Sequence, residues 1–339
     1  MRGNGAMLSC APSTGRVAKM TDRSGGGGHG AVAIIGGGSI GVAFAIVFAG
    51  AGRQVRLFEP DETRRAAVPG LLRARLDDLH SYGLLDEAPD TIARRVMLAD
   101  ILAETVADAV YVQECAPEIL TQKQELFAAL DRLAPPQAVL ASASSFIPAS
   151  AFAADLAGRD RILVAHPGNP PFLIRVIEIV PAPFTNPATV QAATALLQSC
   201  GMEPVLVRKE VEGFVYNRLQ GALLREAYCL VRDGVASVED VDRIVRDGLG
   251  LRWSVVGPFE TADLNTQGGI AAHAERMGPS YARMGAERGQ HDPWTADLVA
   301  KVTSERRALL PLERWAERVT WRDRRLMSLV RHRRTEREA

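Results

Sequence analysis

The chain has 339 residues, 47% of them hydrophobic and 24% charged, which is material for two packed domains and excludes a wholly disordered protein. Lysine plus arginine equals aspartate plus glutamate at 40 each, so no net field draws the chain to nucleic acid or an anionic membrane. The four cysteines, Cys10, Cys115, Cys200 and Cys229, make no C-x-x-C pair. That argues against a zinc ribbon or redox motif, so no metal is expected and a reducing cytoplasm fits best.

Residues 1–30 are rich in Gly, Ser and Thr, carry a glycine run at Gly25 to Gly28, and lack the apolar core of a secretory signal. They read as a disordered tail, within which Met20 is a second candidate for the natural start. Ala31 to Gly50 is almost wholly apolar and long enough to span a bilayer. Its GGGSIG run, between a β-branched stretch and an Ala-rich one, instead predicts a strand, a tight turn and a buried helix, and no membrane partner is expected.

Short β-rich runs then alternate with helical stretches, the pattern of a parallel sheet covered on both faces. Strands are predicted at Ala31 to Ile35, Gln54 to Phe58, Arg95 to Leu98, Ala109 to Gln113, Ala138 to Ala141 and Arg161 to Ala165. Later strands are predicted at Ile174 to Val180 and Pro204 to Val207, around a helix from about Pro187 to Cys200. Beyond Lys209 the β pattern stops, and Glu212 to Asp233 and Val238 to Gly248 read as amphipathic helices. The expected architecture is an α/β Rossmann domain with a mostly parallel, doubly wound sheet at 31–209, followed by an all-α domain at 210–339. A small substrate would bind in the cleft between them. From about Arg318 the arginines alternate with glutamates and apolar residues, which reads as a solvated helix with a frayed end more readily than as a nucleic-acid site.

In Gly36-Gly37-Gly38-Ser39-Ile40-Gly41, the glycine Gly36 permits a tight turn, Gly38 lets a pyrophosphate approach the backbone, and Gly41 allows close helix packing. The helix start, with Ser39 and Ile40, offers unpaired N–H groups to phosphate. Glu59 ends the next predicted strand, 21 residues beyond Gly38, where a carboxylate grips the adenine ribose. Its charge would repel a 2′-phosphate, so the expected cofactor is NAD, although Arg64 and Arg65 leave room for NADP and Glu59 could merely cap a helix.

Oxidation of an alcohol needs a base, and histidine suits neutral pH. Among six histidines, His166 ends the strand RILVA and opens the loop HPGNPP, at the carboxyl edge of the sheet where ligands bind. His29 and His332 lie in the tails, and His80, His273 and His291 in polar surroundings.

Several motifs in order resemble the 3-hydroxyacyl-CoA dehydrogenase family, most closely its lambda-crystallin and L-gulonate 3-dehydrogenase branch, from about Ala31 to Gly285. They are GGGSIG, YVQECAPEILTQKQELF (Tyr111 to Phe127), SASSF (Ser142 to Phe146), HPGNPP, VIEIV (Val176 to Val180), GFVYNRLQ (Gly213 to Gln220) and GLGLRWSVVGPFETADLN (Gly248 to Asn265). The resemblance implies that His166 is the catalytic histidine and Glu178 its orienting carboxylate, which makes physical sense because such a carboxylate fixes the tautomer and stabilises the imidazolium. It also implies that Ser144 and Asn217 contact the substrate oxygen, that Glu118 and Lys123 lie beside the nicotinamide ribose, and that the protein is a homodimer.

On the residues alone, Ser144 could be a helix N-cap and Asn217 a core amide. Arg252, in GLGLRW, could grip a substrate carboxylate or pack on Trp253. Pro167 and Gly168 stand where the acyl-CoA enzymes have an aromatic pair, and SASSF replaces their N-T-S-S pattern, so the substrate pocket differs. The expected activity is NAD-dependent oxidation of the 3-hydroxyl of a 3-hydroxy acid or acyl-CoA. L-gulonate, L-carnitine and short 3-hydroxyacyl-CoA remain open as substrates, as does a non-catalytic, crystallin-like role.

Overall fold

A computed structural model describes residues 30–254, 257–265 and 269–289, with scattered positions between 297 and 335. The predicted tail up to residue 29, the alternative start at Met20 and most of the Arg-rich C-terminus lie outside the described residues. Among the described residues, eight strands form one sheet: β1 (Ala31–Ile35), β2 (Val55–Phe58), β3 (Val96–Ala99), β4 (Ala109–Glu114), β5 (Val139–Ser142), β6 (Ile162–Pro167), β7 (Val176–Pro181) and β8 (Glu203–Leu206). Their order is β3-β2-β1-β4-β5-β6-β7-β8. The direction of winding reverses between β1 and β4, which opens a crevice at the carboxyl ends of the strands.

β1 is apolar throughout because both its faces are covered. Val32 and Ile34 pack with Phe44 and Phe48 of the helix α1 (Ser39–Gly50), whereas Ala33 and Ile35 join Phe127 and Leu130 on the opposite face. The apolar run from Ala31 to Gly50 is therefore a strand, a turn and a 12-residue helix inside the core. No helix among the described residues is long and apolar enough to cross a membrane.

β7 runs antiparallel to β6, the one reversal in the sheet. The connection from Gly168 to Arg175 falls short of the roughly dozen residues a parallel crossover takes, so the chain turns straight back. This hairpin sets the register that matters most, with His166 directly opposite Glu178. His166 thus lies inside β6, not in the loop after it, because pairing with β7 carries the strand through Pro167. β8 returns parallel to β7 after the helix Pro187–Ser199, whose first turn is capped by the Asn186 side chain.

Only helices follow β8 among the described residues. The helix predicted from Glu212 begins at Tyr216, because Gly213 and Phe214 have φ of 74° and 49°, incompatible with a right-handed turn. The helix predicted from Val238 to Gly248 is α-helical to Arg243 and π-helical over Ile244–Leu249. Arg288, on the helix Gly269–Arg288, pairs with Glu226 at 3.0 Å and Asp233 at 2.5 Å, tying that helix to Tyr216–Arg232.

Candidate active site

The turn between β1 and α1 shows why each glycine of the fingerprint is needed. Gly36 has φ of 110°, and a Cβ there would stand 2.7 Å from the Cys115 carbonyl oxygen. A Cβ on Gly41 would stand 1.8 Å from the Gly36 carbonyl oxygen, so helix and turn touch without a side chain between them. A Cβ on Gly38 would meet nothing within 4 Å, leaving its backbone open to an approaching group. The α1 N-terminus has no side-chain cap and no acidic residue in its first turn, so its N–H groups and positive dipole end are available to a phosphate. These features fit a dinucleotide.

Glu59 follows β2 and is 3% exposed. Its Oε2 accepts from the Gly37 amide at 2.8 Å, and its Oε1 from the Asp61 amide at 3.0 Å and from Arg64 Nη2 at 3.0 Å. Burial alone would raise its pKa, but these amides and the Arg64 guanidinium hold it below the usual glutamate value. Glu59 is not the cap of the helix Glu62–Ser81, a role taken by Asp61, whose side chain accepts from the Arg64 amide; it buttresses the glycine turn instead. Ser39, at the start of α1, is exposed, and its hydroxyl and carbonyl oxygens each accept from Arg75 at 2.8 Å. The Arg75 guanidinium lies 5.8 Å over the Phe172 ring, in the loop that follows His166. Ile40 packs partly buried against the core.

His166 and Glu178 face each other across the β6–β7 ladder, 6% and 3% exposed. His166 Nδ1 is 2.7 Å from Glu178 Oε2. The other carboxylate oxygen, Oε1, accepts from the amides of Val215 at 2.8 Å and Tyr216 at 3.0 Å, where the first helix of the C-terminal region begins. Desolvation pushes the Glu178 pKa up, but the His166 contact and the two amides bring it below the ordinary value. An ionised Glu178 draws the Nδ1 proton, leaving the Nε2 lone pair as the base. The Phe214 ring lies 5.7 Å from the His166 ring, and that of Tyr216 lies edge-on at 6.1 Å. Phe214 is fully buried at positive φ, a conformation that costs a bulky residue energy and that its enclosure imposes.

Ser144 lies just past β5 and is 1% exposed. No helix begins at Ser144, and the next one, Ala149–Ala153, has no side-chain cap. Its hydroxyl contacts Glu118 Oε1 very closely, lies 2.8 Å from the Ile147 carbonyl oxygen, and accepts from the Ile147 amide at 2.9 Å. Asn217, in the first turn of Tyr216–Arg232, donates from Nδ2 to the Ser145 carbonyl at 3.2 Å, bridging the sheet edge and the helices. An open cavity of about 990 Å³ begins at Phe146, Gly213 and Asn217 and runs along Arg218, Leu224 and Arg225.

The two residues expected beside the nicotinamide ribose are both bound by protein groups. Lys123 is enclosed: 1% exposed, it binds both oxygens of the buried Glu114 at 3.0 and 2.9 Å and reaches Ser142 at 3.3 Å. This ion pair is buried and offers no lysine charge to solvent. The Glu118 carboxylate is bound by Ser144 and by three backbone amides. Arg252 is exposed on the four-residue helix Gly250–Trp253, and among the described residues no hydrogen bond or ion pair joins it to His166, Glu178, Ser144 or Asn217.

Sequence reasoning missed Phe214, the Val215 and Tyr216 amides, and Arg75. Gly213 just before the GFVYN helix was the available signal for the first two, since glycine before a helix marks a special backbone entry. Arg75 had no signal at all.

The arrangement matches known proteins along most of its length. The model of the 3-hydroxyacyl-CoA dehydrogenase NAD binding domain matches residues 31–211, and that of the 3-hydroxyacyl-CoA dehydrogenase C-terminal domain matches residues 213–308. The lambda-crystallin homolog of Bos taurus is 38% identical over 305 residues, covering 89% of this chain and 95% of that protein. The L-carnitine dehydrogenase of Streptomyces coelicolor is 37% identical over 265 residues, 78% of this chain and 80% of its own length. Among solved structures, a 5-formyl-3-hydroxy-2-methylpyridine 4-carboxylic acid 5-dehydrogenase, an NAD+-dependent dismutase, superposes with a TM-score of 0.76 at 27% identity, covering 88% of this chain and 96% of that one. With its Rossmann sheet, its helical C-terminal domain and these matches, the chain belongs to the 3-hydroxyacyl-CoA dehydrogenase family of NAD-dependent oxidoreductases.

Proposed function

We propose that this NAD-dependent dehydrogenase oxidises the 3-hydroxyl of a small 3-hydroxy acid, with His166 as the base. The observation that carries the reading is the buried 2.7 Å contact between His166 and Glu178 at the cofactor end of the sheet. When bound, NAD supplies the hydride acceptor. Glu178 holds the Nδ1 proton, so Nε2 takes the proton of the substrate hydroxyl, and the imidazolium that forms is stabilised by the carboxylate beside it. Ser144 and Asn217 position the substrate oxygen, and Glu59 holds the adenine ribose. An acid rather than a CoA thioester is supported by Pro167 and Gly168 in place of an aromatic pair. Gly168 is packed so closely that a Cβ would meet Ile174 at 2.4 Å.

Replacing His166 by Ala should lower NADH formation by about 100- to 10,000-fold, the usual contribution of a general base, while NADH binding followed by fluorescence stays intact. An active His166→Ala variant would refute the assignment. The substrate class is tested by following NADH absorbance with L-gulonate, L-carnitine and 3-hydroxybutyryl-CoA side by side, a preference for the thioester counting against the free acid.

The same reading includes a homodimer through the C-terminal helices, supported by Leu219 and Leu224 at 62% and 37% exposure on Tyr216–Arg232. Sedimentation at twice the 36.6 kDa chain mass is the expected result, and a monomer at micromolar concentration would exclude it. A domain division at residues 209–210 and a cytoplasmic location belong to this reading as well. Cys115 and Cys200, which form no disulfide among the described residues, suit such a reducing compartment.

A further inference from the structure

We infer that Arg75 is a positioning residue for the cofactor: by holding both oxygens of Ser39, it leaves the Ser39 hydroxyl proton for the pyrophosphate of the dinucleotide. The inference concerns the grip on the cofactor and is independent of the substrate and of the roles given to His166, Ser144 and Asn217.

Ser39 is the exposed first residue of α1, at the helix N-terminus that has no side-chain cap. Arg75 reaches it from a different element, the helix Glu62–Ser81 that follows β2. Its Nη1 donates to the Ser39 carbonyl oxygen at 2.8 Å, and its Nη2 donates to Ser39 Oγ at 2.8 Å. The guanidinium is fixed from a second side by the buried Phe172 ring, whose centroid is 5.8 Å away, within the range of a cation–π contact. Phe172 lies between β6 and β7, so one side chain ties the cofactor turn to the segment that leaves His166. A two-pronged contact and a stacked face order this long side chain before any ligand arrives.

The consequence for Ser39 follows from its single proton. Arginine only donates, so Oγ accepts from Nη2 through a lone pair, and the hydroxyl proton is turned away from the guanidinium. No acceptor for that proton is found among the described residues. Beside it stand the unpaired amides of the first turn and Gly38, whose backbone is open. Amide protons, a hydroxyl proton and the positive end of a helix dipole share one preference, an anion, and the pyrophosphate of NAD is one. The charge on the guanidinium polarises the hydroxyl, which strengthens the bond that Ser39 donates in turn. With two of its nitrogens engaged by Ser39, Arg75 serves the phosphate through that residue.

The test is a double-mutant cycle on the full-length protein, with wild type, Arg75→Ala, Ser39→Ala and the double variant, and Arg75→Lys beside them. The measurements are the Kd of NADH by fluorescence and the Kd of ADP-ribose and of adenosine by competition with NADH, so that no substrate enters. Ser39→Ala and Arg75→Ala should each weaken NADH and ADP-ribose by about 3- to 10-fold, the usual contribution of a hydrogen bond. Adenosine, which has no phosphate, should change by less than about twofold, and Arg75→Lys should restore part of the loss because it keeps a charged donor. The double variant should lose clearly less than the product of the two single losses, since removing Ser39 leaves Arg75 nothing to act through. Losses that multiply would overturn the inference, because the two residues would then act apart. An equal loss for adenosine would overturn it in favour of a structural role for Arg75, and so would unchanged NADH affinity in Arg75→Ala. Ser39 is exposed, so Ser39→Ala carries the test even if Arg75→Ala does not fold, and wild-type NADH affinity in Ser39→Ala would overturn the inference by itself.

Discussion

Two buried glutamates, Glu59 and Glu178, stand at the carboxyl edge of the same sheet, each 3% exposed and each held below the ordinary glutamate pKa by hydrogen bonds. Their donors differ. Glu59 is bound by amides and by Arg64, whose side chain is 61% exposed and permanently charged. Glu178 is bound by two amides and by His166, the only one of these partners whose side chain has a ring nitrogen that can accept a proton while the other donates. Similar burial and charge thus serve a holding site at one end and a proton-handling site at the other, and the identity of the third partner decides which.

The largest effect that tests this contrast is on Glu178. Glu178→Gln keeps the shape but supplies no anion for the imidazolium, so kcat should fall by about 100- to 10,000-fold. A loss confined to KM in the kinetics of that variant would mean that Glu178 only shapes the pocket. Next comes Glu59→Ser. Its kcat/KM with NAD should fall by about 10- to 100-fold for want of charge-assisted bonds to the ribose. NADP use should rise, because Arg64 loses its carboxylate partner and Arg65, which donates to the Glu59 carbonyl at 2.9 Å, stands beside it. If both cofactors weaken equally in parallel assays, the arginines are not poised for a 2′-phosphate and Glu59 serves the turn rather than the ribose.

A smaller effect is expected at Gly213, where φ of 74° strains any other residue. Gly213→Ala should cost about 1–2 kcal/mol in urea unfolding. A larger drop in kcat than in stability would show that the strained Gly213–Phe214 entry also sets the His166 wall.

The mildest test is pH. Both glutamates have folded pKa values below their unfolded ones, so the stability they contribute is fully present above about 4.3, the ordinary glutamate pKa, and is lost as pH falls through the folded values. Melting curves from pH 3 to 7 should therefore fall less steeply at the acid end for Glu178→Gln than for wild type, and an unchanged slope would deny the depressed pKa.

Strand positions were legible to within a residue or two because β-branched runs bounded by Gly, Pro and Asp leave few alternatives for a sheet covered on both faces. The antiparallel turn to β7 was not read, although the short segment between His166 and Val176 carried the information. Glu59 was legible from its distance to the glycine turn, a spacing fixed by one helix and one strand. The partners of Glu118 and Lys123 were not, because likeness to relatives marks a position in the chain without saying which neighbour fills its hydrogen bonds. The π-helical turn at Ile244–Leu249 has no evident cause in its residues.

The amides of Val215 and Tyr216 give the molecule a timetable. A growing chain that has emerged only through β8 already holds the glycine turn, α1 and Glu59, all of them upstream. It also has His166 and Glu178, yet one oxygen of that carboxylate still lacks the two donors that come only with the next helix. The strand domain thus carries every residue of the glycine turn in its own length, whereas the setting of its base waits on the helix that follows it.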